Sequence, residues 1–209
     1  MPIRAEREYR TMNPMQIRSL NNAGGGDMWV EGYATTFNQP YTLYSWDDYE
    51  VREEIDEHAF DECDMTDVIM QYDHQGRVFA RTKNGTLQLE TDNHGLKIKA
   101  NLNGTEIGKQ LYGEIKGGYT DQMSFGFIVG LDEKTYTEDH ETGKTTVLRR
   151  IKKISKLYDV SAVSIPANPS TDLHTRSLSD GWIEEVKAER LRAQKRARLA
   201  LKIKMTEVM

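Results

Sequence analysis

Cysteine is nearly absent from this sequence, since Cys63 is the only one among 209 residues. A lone cysteine excludes an internal disulfide framework and a zinc site built on cysteines. We expect Cys63 to be a buried or inert thiol rather than a nucleophile. Histidine is also scarce, at five residues, and the HxxxH spacing of many metal sites is missing. The sequence therefore indicates no metal site.

Long apolar runs are missing as well. No stretch approaches the roughly 18 apolar residues that a membrane helix needs, and the N-terminal "MPIRAEREYRTMN" lacks the apolar core of a secretory signal. Apolar residues make up 37% of the chain and charged residues 29%. These features predict a soluble protein of the cytoplasm that has no contact with a membrane.

The charge is unevenly distributed. The net charge is −5, but residues 181–209 contain eight Lys and Arg against four Glu, so the rest of the chain is strongly acidic. An acidic body with a basic tail indicates two binding surfaces, and the tail is a candidate for binding nucleic acid.

Short segments with strand character alternate with turn residues along most of the chain, which predicts an α+β, mainly β fold: a curled antiparallel β-barrel with flanking helices. We expect three parts: an N-terminal strand and flexible linker (1–27), the β-barrel domain (28–170), and a linker with a basic C-terminal helix (171–209). The predicted strands are 15–20, 28–37, 49–55, 66–72, 122–131 and 156–165, with a meander of three strands over 78–102. Helices are predicted over 56–63, over 105–118 and over roughly 181–204.

Three residues could carry chemistry. In "DQMSFGFIVG", Met123, Phe125 and Phe127 occupy the core face of a strand, so Ser124 points the other way, and Gly126 leaves space beside it. His74 lies where a buried strand meets a turn, and Asp159 is an acid within an otherwise apolar strand. Each residue also has an interpretation without a catalytic role. Ser124 could be an ordinary strand serine, His74 a hydrogen-bonded polar residue at a strand end, and Asp159 an aspartate that faces outward.

Together the three residues match a known chemical requirement. A serine nucleophile needs a base to take its proton, and the base needs a partner that fixes its tautomer. His74 is a candidate base for Ser124 and Asp159 a candidate partner for His74. Spacing in the sequence leaves open whether the three converge.

The chain resembles the prohead maturation proteases of tailed bacteriophages. The resemblance is carried, in order from about Val30 to Pro169, by "VEGYATTFNQPY", "EEIDEHAF", "DVIMQYDHQGRVFARTKNGTLQLETDNHGLKIKANL", "MSFGFIV" and "DVSAVSIPANP". These are serine endopeptidases related in fold to the herpesvirus assemblins, whose fold is a curled β-barrel surrounded by helices.

The resemblance implies roles for individual residues. Ser124 would be the nucleophile and His74 the base. Asp159, directly before "VS" in the matched motif, would be the third member, whereas His94 or His140 would take that place on the assemblin pattern. Backbone N–H groups of Ala167 and Asn168 in "IPANP" are candidates for the oxyanion site.

The resemblance also implies a function. The expected activity is cleavage of the major capsid protein, of the scaffolding protein or its delta segment, and of the enzyme itself, inside the phage prohead in the host cytoplasm. We expect the enzyme to need no cofactor. We also expect it to form a homo-oligomer. The alternative is a non-catalytic capsid assembly or scaffolding factor that keeps the fold without the activity.

Overall fold

The computed structural model describes residues 7–16, 18–20, 28–46, 48–139 and 141–163, together with the separate residues 181, 184, 188, 191, 192, 195 and 196. Within these residues the chain forms eleven strands, one α-helix and a single 3₁₀ turn at Thr82–Asn84. In chain order the elements are β1 (Glu8–Gln16), β2 (Arg18–Ser19), β3 (Trp29–Thr36), β4 (Tyr41–Ser45), β5 (Tyr49–Ile55), β6 (Ile69–Tyr72), β7 (Gln75–Arg81), β8 (Leu87–Thr91), β9 (Gly95–Asn101), α1 (Glu106–Gly117), β10 (Gln122–Glu138) and β11 (Thr145–Val163).

The described strands form two sheets. In the first, β1, β10, β11, β5 and β4 lie side by side, and β6 pairs with β11 and also carries β7. In the second, the order is β2, β3, β9, β8. The long strand β11 organises the first sheet, because it pairs antiparallel with β10 but parallel with β5 along its first half and with β6 along its second half.

The expected antiparallel β-barrel is therefore met only in part. The fold is mainly β, but in the part of the chain that is described the strands form two separate sheets with no closed barrel, and the first sheet is mixed. Parallel pairs join strands that are distant in the chain, and a pattern of short strands and tight turns does not reveal them. The C-terminal helix falls where only separate residues are described, so this helix and the division into three segments stay predictions.

The main core draws on both sheets and on α1. The alternation predicted for β8 and β9 is present, since Leu87, Leu96 and Ile98 are buried. The helix predicted over 105–118 is also present. Thr105 Oγ1 accepts the Gly108 N–H at 3.1 Å, and Gly118, with φ of 74°, ends the helix in the left-handed region.

Several elements differ from the sequence-based predictions. Residues 56–63 form successive turns instead of a helix, and the predicted meander is divided, because β7 joins the first sheet while β8 and β9 join the second. The strands β10 and β11 are longer than predicted, and most of β1 and all of β4 were not predicted. The first part of β1 was not predicted because its buried side chains include the charged residues Glu8 and Arg10, so it lacks the apolar alternation of a typical strand. Among the described helices, none has the length and apolar character to cross a membrane.

The buried charges of β1 belong to a group that we call the ion cluster: Glu8, Arg10, Glu53 and Arg149. Arg10 Nε donates to Glu53 Oε1 at 2.6 Å, while Arg149 Nη1 donates to Glu8 Oε2 and to Glu53 Oε2, each at 2.8 Å. Glu8 also pairs with Arg10. The cluster therefore joins β1 to β5 and β11, which are not all neighbours in the sheet.

The ion cluster makes stability dependent on pH. Burial by itself raises the pKa of Glu8, but the hydrogen bonds and charges of Arg149 and Arg10 outweigh burial and bring the pKa below its usual value. A carboxylate with a lowered pKa in the folded protein adds stability above its unfolded pKa, about 4.3, and this stability is lost as the pH falls through the folded value. Acid should therefore loosen the attachment of β1.

We predict that Arg149→Met lowers the free energy of unfolding by about 3–5 kcal/mol, because it leaves two buried carboxylates with Arg10 as their remaining cation. The matched control is Arg18→Met, which removes the pair between the largely exposed Arg18 and Glu31 and should cost about 1 kcal/mol or less. Denaturant unfolding at pH 7 compares the two. Part of the loss of stability as the pH falls below about 4.3, the pKa of an unfolded Glu, should also disappear in Arg149→Met. Equal costs for the two variants would contradict the importance of the cluster.

Candidate active site

His74 is held in a two-residue turn between β6 and β7. Tyr72 pairs with Gln75 across the hairpin, and both turn residues have positive φ, 48° for Asp73 and 57° for His74, as in the type I′ turn. Side chains other than glycine adopt this region at a cost of about 1–2 kcal/mol each. The turn is fastened to β11, since Asp73 N–H donates to Ala162 O at 3.0 Å. Strain of this kind concentrates at functional sites.

Ser124 lies on β10, on the face away from the core. Its neighbours Phe125 and Phe127 stack in the core with ring centroids 4.6 Å apart, so the alternation read from the sequence is correct. Although Ser124 faces away from the core, only 1% of the residue is exposed to solvent. The cause is β1, which pairs with β10 so that Thr11 lies opposite Ser124.

Asp159 reaches the same face through an irregularity in β11. Gly126 pairs with Asp159, but the next residue along β10, Phe127, pairs with Leu157, so Tyr158 is an extra residue. A bulge of this kind resets the alternation of a strand. It allows Leu157 to enter the core while Asp159, two residues later, faces Ser124 and His74.

The structure brings Ser124, His74 and Asp159 into one chain of hydrogen bonds. His74 Nε2 lies 2.5 Å from Ser124 Oγ, and His74 Nδ1 is hydrogen-bonded to Asp159 Oδ1. A carboxylate can only accept, so Nδ1 is the protonated nitrogen and Nε2 is free to accept the hydroxyl proton of Ser124. This arrangement can move a proton from a hydroxyl to an imidazole.

Two further groups contact these residues. Ser161 Oγ donates to Asp159 Oδ1 at 3.0 Å, and Ser124 Oγ lies 2.9 Å from the Arg10 carbonyl oxygen. The Ser124 hydroxyl thus has one proton and two acceptors within reach. Sequence reasoning missed both contacts. Ser161 could have been found, because it is two residues from Asp159 on the same strand face, whereas a backbone carbonyl has no signature in the sequence.

Gly126 provides the space in which the aspartate lies. A Cβ atom at this position would lie 2.4 Å from Asp159 Oδ2 and 2.9 Å from Tyr9 Cε1, both too close for contact. The space inferred from the sequence beside Ser124 is thus occupied by the carboxylate of Asp159 and the ring of Tyr9.

The other candidates for the site lie elsewhere or outside the described residues. His94 is in the turn between β8 and β9 of the second sheet, where its ring packs edge-on against Tyr33 with centroids 4.6 Å apart. His140, Ala167 and Asn168 lie outside the described residues, so their roles stay predictions. Burial raises the pKa of Cys63 to about 11, which leaves little reactive thiolate at neutral pH.

A cleft with a volume of about 660 Å³ lies beside the turn that carries His74. We call it the hairpin cleft. The β6–β7 hairpin forms one wall and α1 the other, and its lining includes Tyr72, Asp73, Phe79, Ile107 and Leu111. Its walls combine these apolar side chains with the charged residues Asp73, Arg77 and Glu114, which suits an extended ligand with apolar side chains. In the described ranges, no three His, Cys, Asp or Glu side chains converge as a metal ion would require.

Comparison with known proteins gives one family and one solved structure. The sequence model of the family described as caudovirus prohead serine protease matches residues 13–185, which is more than half of the chain. The solved structure is that of the bacteriophage T4 capsid assembly protease, gp21. It is 13% identical, with a TM-score of 0.41, and the match covers 77% of this chain and 98% of that chain. No curated protein matches.

We predict that Gly126→Ala breaks the chain of hydrogen bonds, because the added Cβ displaces either Asp159 or Tyr9. The nuclear magnetic resonance signal of the His74 Nδ1 proton, shifted far downfield by the carboxylate, should move upfield or vanish, and the free energy of unfolding should fall by about 1–3 kcal/mol. Gly113→Ala in α1 is the matched control, since its Cβ would meet nothing within 4 Å. An unchanged proton signal in Gly126→Ala would show that Asp159 does not depend on this space.

Proposed function

This chain belongs to the caudovirus prohead serine protease family, and we propose that it is an endopeptidase in which Ser124 is the nucleophile, His74 the general base and Asp159 the residue that orients His74. The observation that carries the proposal is the unbroken chain of hydrogen bonds from Ser124 Oγ through both nitrogens of His74 to Asp159. Family membership alone indicates a serine protease. The hydrogen bonds are the reason to assign these three residues.

The proposed reaction begins when Ser124 Oγ attacks the carbonyl carbon of the scissile peptide bond while His74 Nε2 takes the hydroxyl proton. For this the hydroxyl proton must point to His74 rather than to the Arg10 carbonyl. The imidazolium that forms is stabilised by Asp159, which accepts from Nδ1. His74 then gives the proton to the leaving amine, which leaves an ester between the substrate and Ser124.

The second half of the reaction uses the same base. A water molecule takes the place of the leaving amine, His74 removes its proton, and the resulting hydroxide attacks the ester carbonyl. His74 returns the proton to Ser124 Oγ, which frees the enzyme. Oxyanion donors are required in both steps, and the N–H groups of Ala167 and Asn168 remain our predicted donors.

We propose that the substrates are the capsid and scaffolding proteins of an immature phage head, together with this chain itself, and that cleavage takes place inside the prohead in the host cytoplasm. The hairpin cleft is our candidate for binding substrate side chains near the scissile bond, because the turn that carries His74 forms part of its wall. In the tail, the basic residues of 181–209 suit attraction to acidic partners before self-cleavage removes them.

We expect Ser124→Ala and His74→Ala each to abolish cleavage, lowering the rate by at least about 10³-fold, and the double variant to be scarcely worse than either single variant, because the two residues act as a unit. Cleavage is measured by mass spectrometry of the purified protein over time, alone and with its cognate capsid protein. The active enzyme should lose its basic tail, and Ser124→Ala should keep it.

The controls for these variants are Ser45→Ala and His58→Ala, which change exposed residues away from the site and should cleave like the wild type. A single variant that retains activity within tenfold of the wild type would overturn the assignment. Active enzyme that keeps its whole tail would overturn self-removal only. Wild-type protein that cleaves neither itself nor the capsid protein would favour the non-catalytic assembly factor.

We expect Asp159→Asn to lower the cleavage rate by up to about 10⁴-fold while leaving the protein folded, because the amide cannot stabilise the imidazolium and favours the wrong tautomer of His74. His94→Ala is the comparison, since the position of His94 against Tyr33 predicts activity close to that of the wild type. The steady-state rates at which both variants and the wild type cleave one peptide substrate are compared. Greater damage from His94→Ala would replace Asp159 by a histidine as the third member.

A further inference from the structure

The N-terminal strand β1 presents two different surfaces. Successive side chains of a strand point to opposite faces. Glu8 and Arg10 point to the ion cluster, while Tyr9 and Thr11 lie on the face that carries Ser124, since Tyr9 pairs with Gly126 and Thr11 with Ser124. One face of β1 therefore fastens the strand, and the other forms part of the wall of the candidate active site.

Tyr9 contacts the base directly. The centroid of the Tyr9 ring is 4.4 Å from that of the His74 imidazole, and the rings are inclined by 61°, an edge-to-face geometry. His74 needs this support, because it lies in a turn at the end of a hairpin, with a strained backbone, and the side chain is still 17% exposed. Its two hydrogen bonds lie in the plane of the ring, so a contact with the ring is what opposes tilting about them.

Arg7 connects Tyr9 to the acid. Arg7 Nη1 donates to the Tyr9 hydroxyl at 3.2 Å and also lies 3.7 Å from Asp159 Oδ2. This carboxylate oxygen is buried and has no hydrogen bond within the described residues. The Arg7 guanidinium lies 3.8 Å from the centroid of the Tyr158 ring, so the bulge residue also supports it.

We propose that Tyr9 is a positioning residue that holds the imidazole of His74 in line between Ser124 Oγ and Asp159, and that β1 is thereby a working part of the active site. The inference rests on the proposed function of His74 as the base. The Tyr9 ring does the positioning, and its hydroxyl contributes only the contact with Arg7. A misplacement of about 1 Å in such a site costs about 10²-fold in rate.

Substitutions at Tyr9 can distinguish the effect of the ring from that of the hydroxyl, and an effect on the rate of reaction from one on binding. Tyr9→Phe keeps the ring and should react at a rate within about twofold of the wild type. Tyr9→Leu and Tyr9→Met remove the ring and should lower the maximal rate of reaction at Ser124 by at least tenfold, with little change in the concentration that gives the half-maximal rate. Tyr136→Leu is the matched control, since Tyr136 is exposed to a similar extent, 37% against 40% for Tyr9, but lies far along β10.

The experiment uses a fluorophosphonate probe on the full chain, because the probe reports the reactivity of Ser124 without a cognate substrate. Ser124 Oγ forms a bond to phosphorus, the bond from phosphorus to fluorine breaks, fluoride leaves, and His74 takes the hydroxyl proton. Intact-mass spectrometry gives the labelling rate as a function of probe concentration, and Ser124→Ala shows whether labelling is specific. Each variant is measured below its own unfolding temperature.

The outcomes distinguish this inference from the proposed function. Slow labelling in both ring-deleted variants, with rescue in Tyr9→Phe and normal labelling in Tyr136→Leu, supports the inference. If a folded ring-deleted variant labels like the wild type, or if Tyr9→Phe is as slow as Tyr9→Leu, the inference is wrong although the proposed function stands. If wild-type Ser124 is not labelled, the proposed function fails and the inference fails with it.

Discussion

The register of β10 against β11 is the constraint on which the rest of the site depends. It places Ser124 opposite Ser161 and Gly126 opposite Asp159, so that hydroxyl and carboxylate share one face of the sheet. A slip of one residue would turn Ser124 into the core and Phe125 out of it, which would separate a buried hydroxyl from its hydrogen-bond partners and remove an aromatic ring from the core. The bulge at Tyr158 adjusts the register locally. The same aromatic packing that stabilises the core therefore also fixes the direction in which Ser124 points.

The strand β1 contributes both to the stability of the fold and to the candidate active site. The ion cluster is buried on one side of this strand, and the candidate site lies on the other. A buried group of charges is a weak source of net stability, but its geometry is demanding, because each carboxylate needs its arginine at a particular place. We infer that its value here is specificity. It holds β1 in the one register that brings Tyr9 to His74 and the Arg10 carbonyl to Ser124.

The sequence predicted which three side chains could lie together better than it predicted the fold. Alternation around Phe125 and Phe127 correctly placed Ser124 on the face away from the core, and the resemblance to phage proteases selected His74 and Asp159, which the structure brings together. Neither the burial of Ser124 nor the contacts of Tyr9 and Arg10 could be predicted from the sequence. They depend on β1, whose partner strand β10 lies more than a hundred residues further along the chain. Strand periodicity is local information. It does not reveal parallel pairing, a bulge or the division of strands between two sheets.

The separation of these partners along the chain has a consequence for the timing of activity. Arg10 and Ser124 are 114 residues apart, and Glu8 and Arg149 are 141 residues apart. Contacts between such distant residues form late and slowly, because a long loop must close before any of them is gained. During translation β1 is made first, and Ser124 and His74 cannot form their hydrogen bond until β10 and β11 have also left the ribosome and folded. The side chains of the candidate site are therefore kept apart during most of the synthesis of the chain, and they come together only in the folded protein.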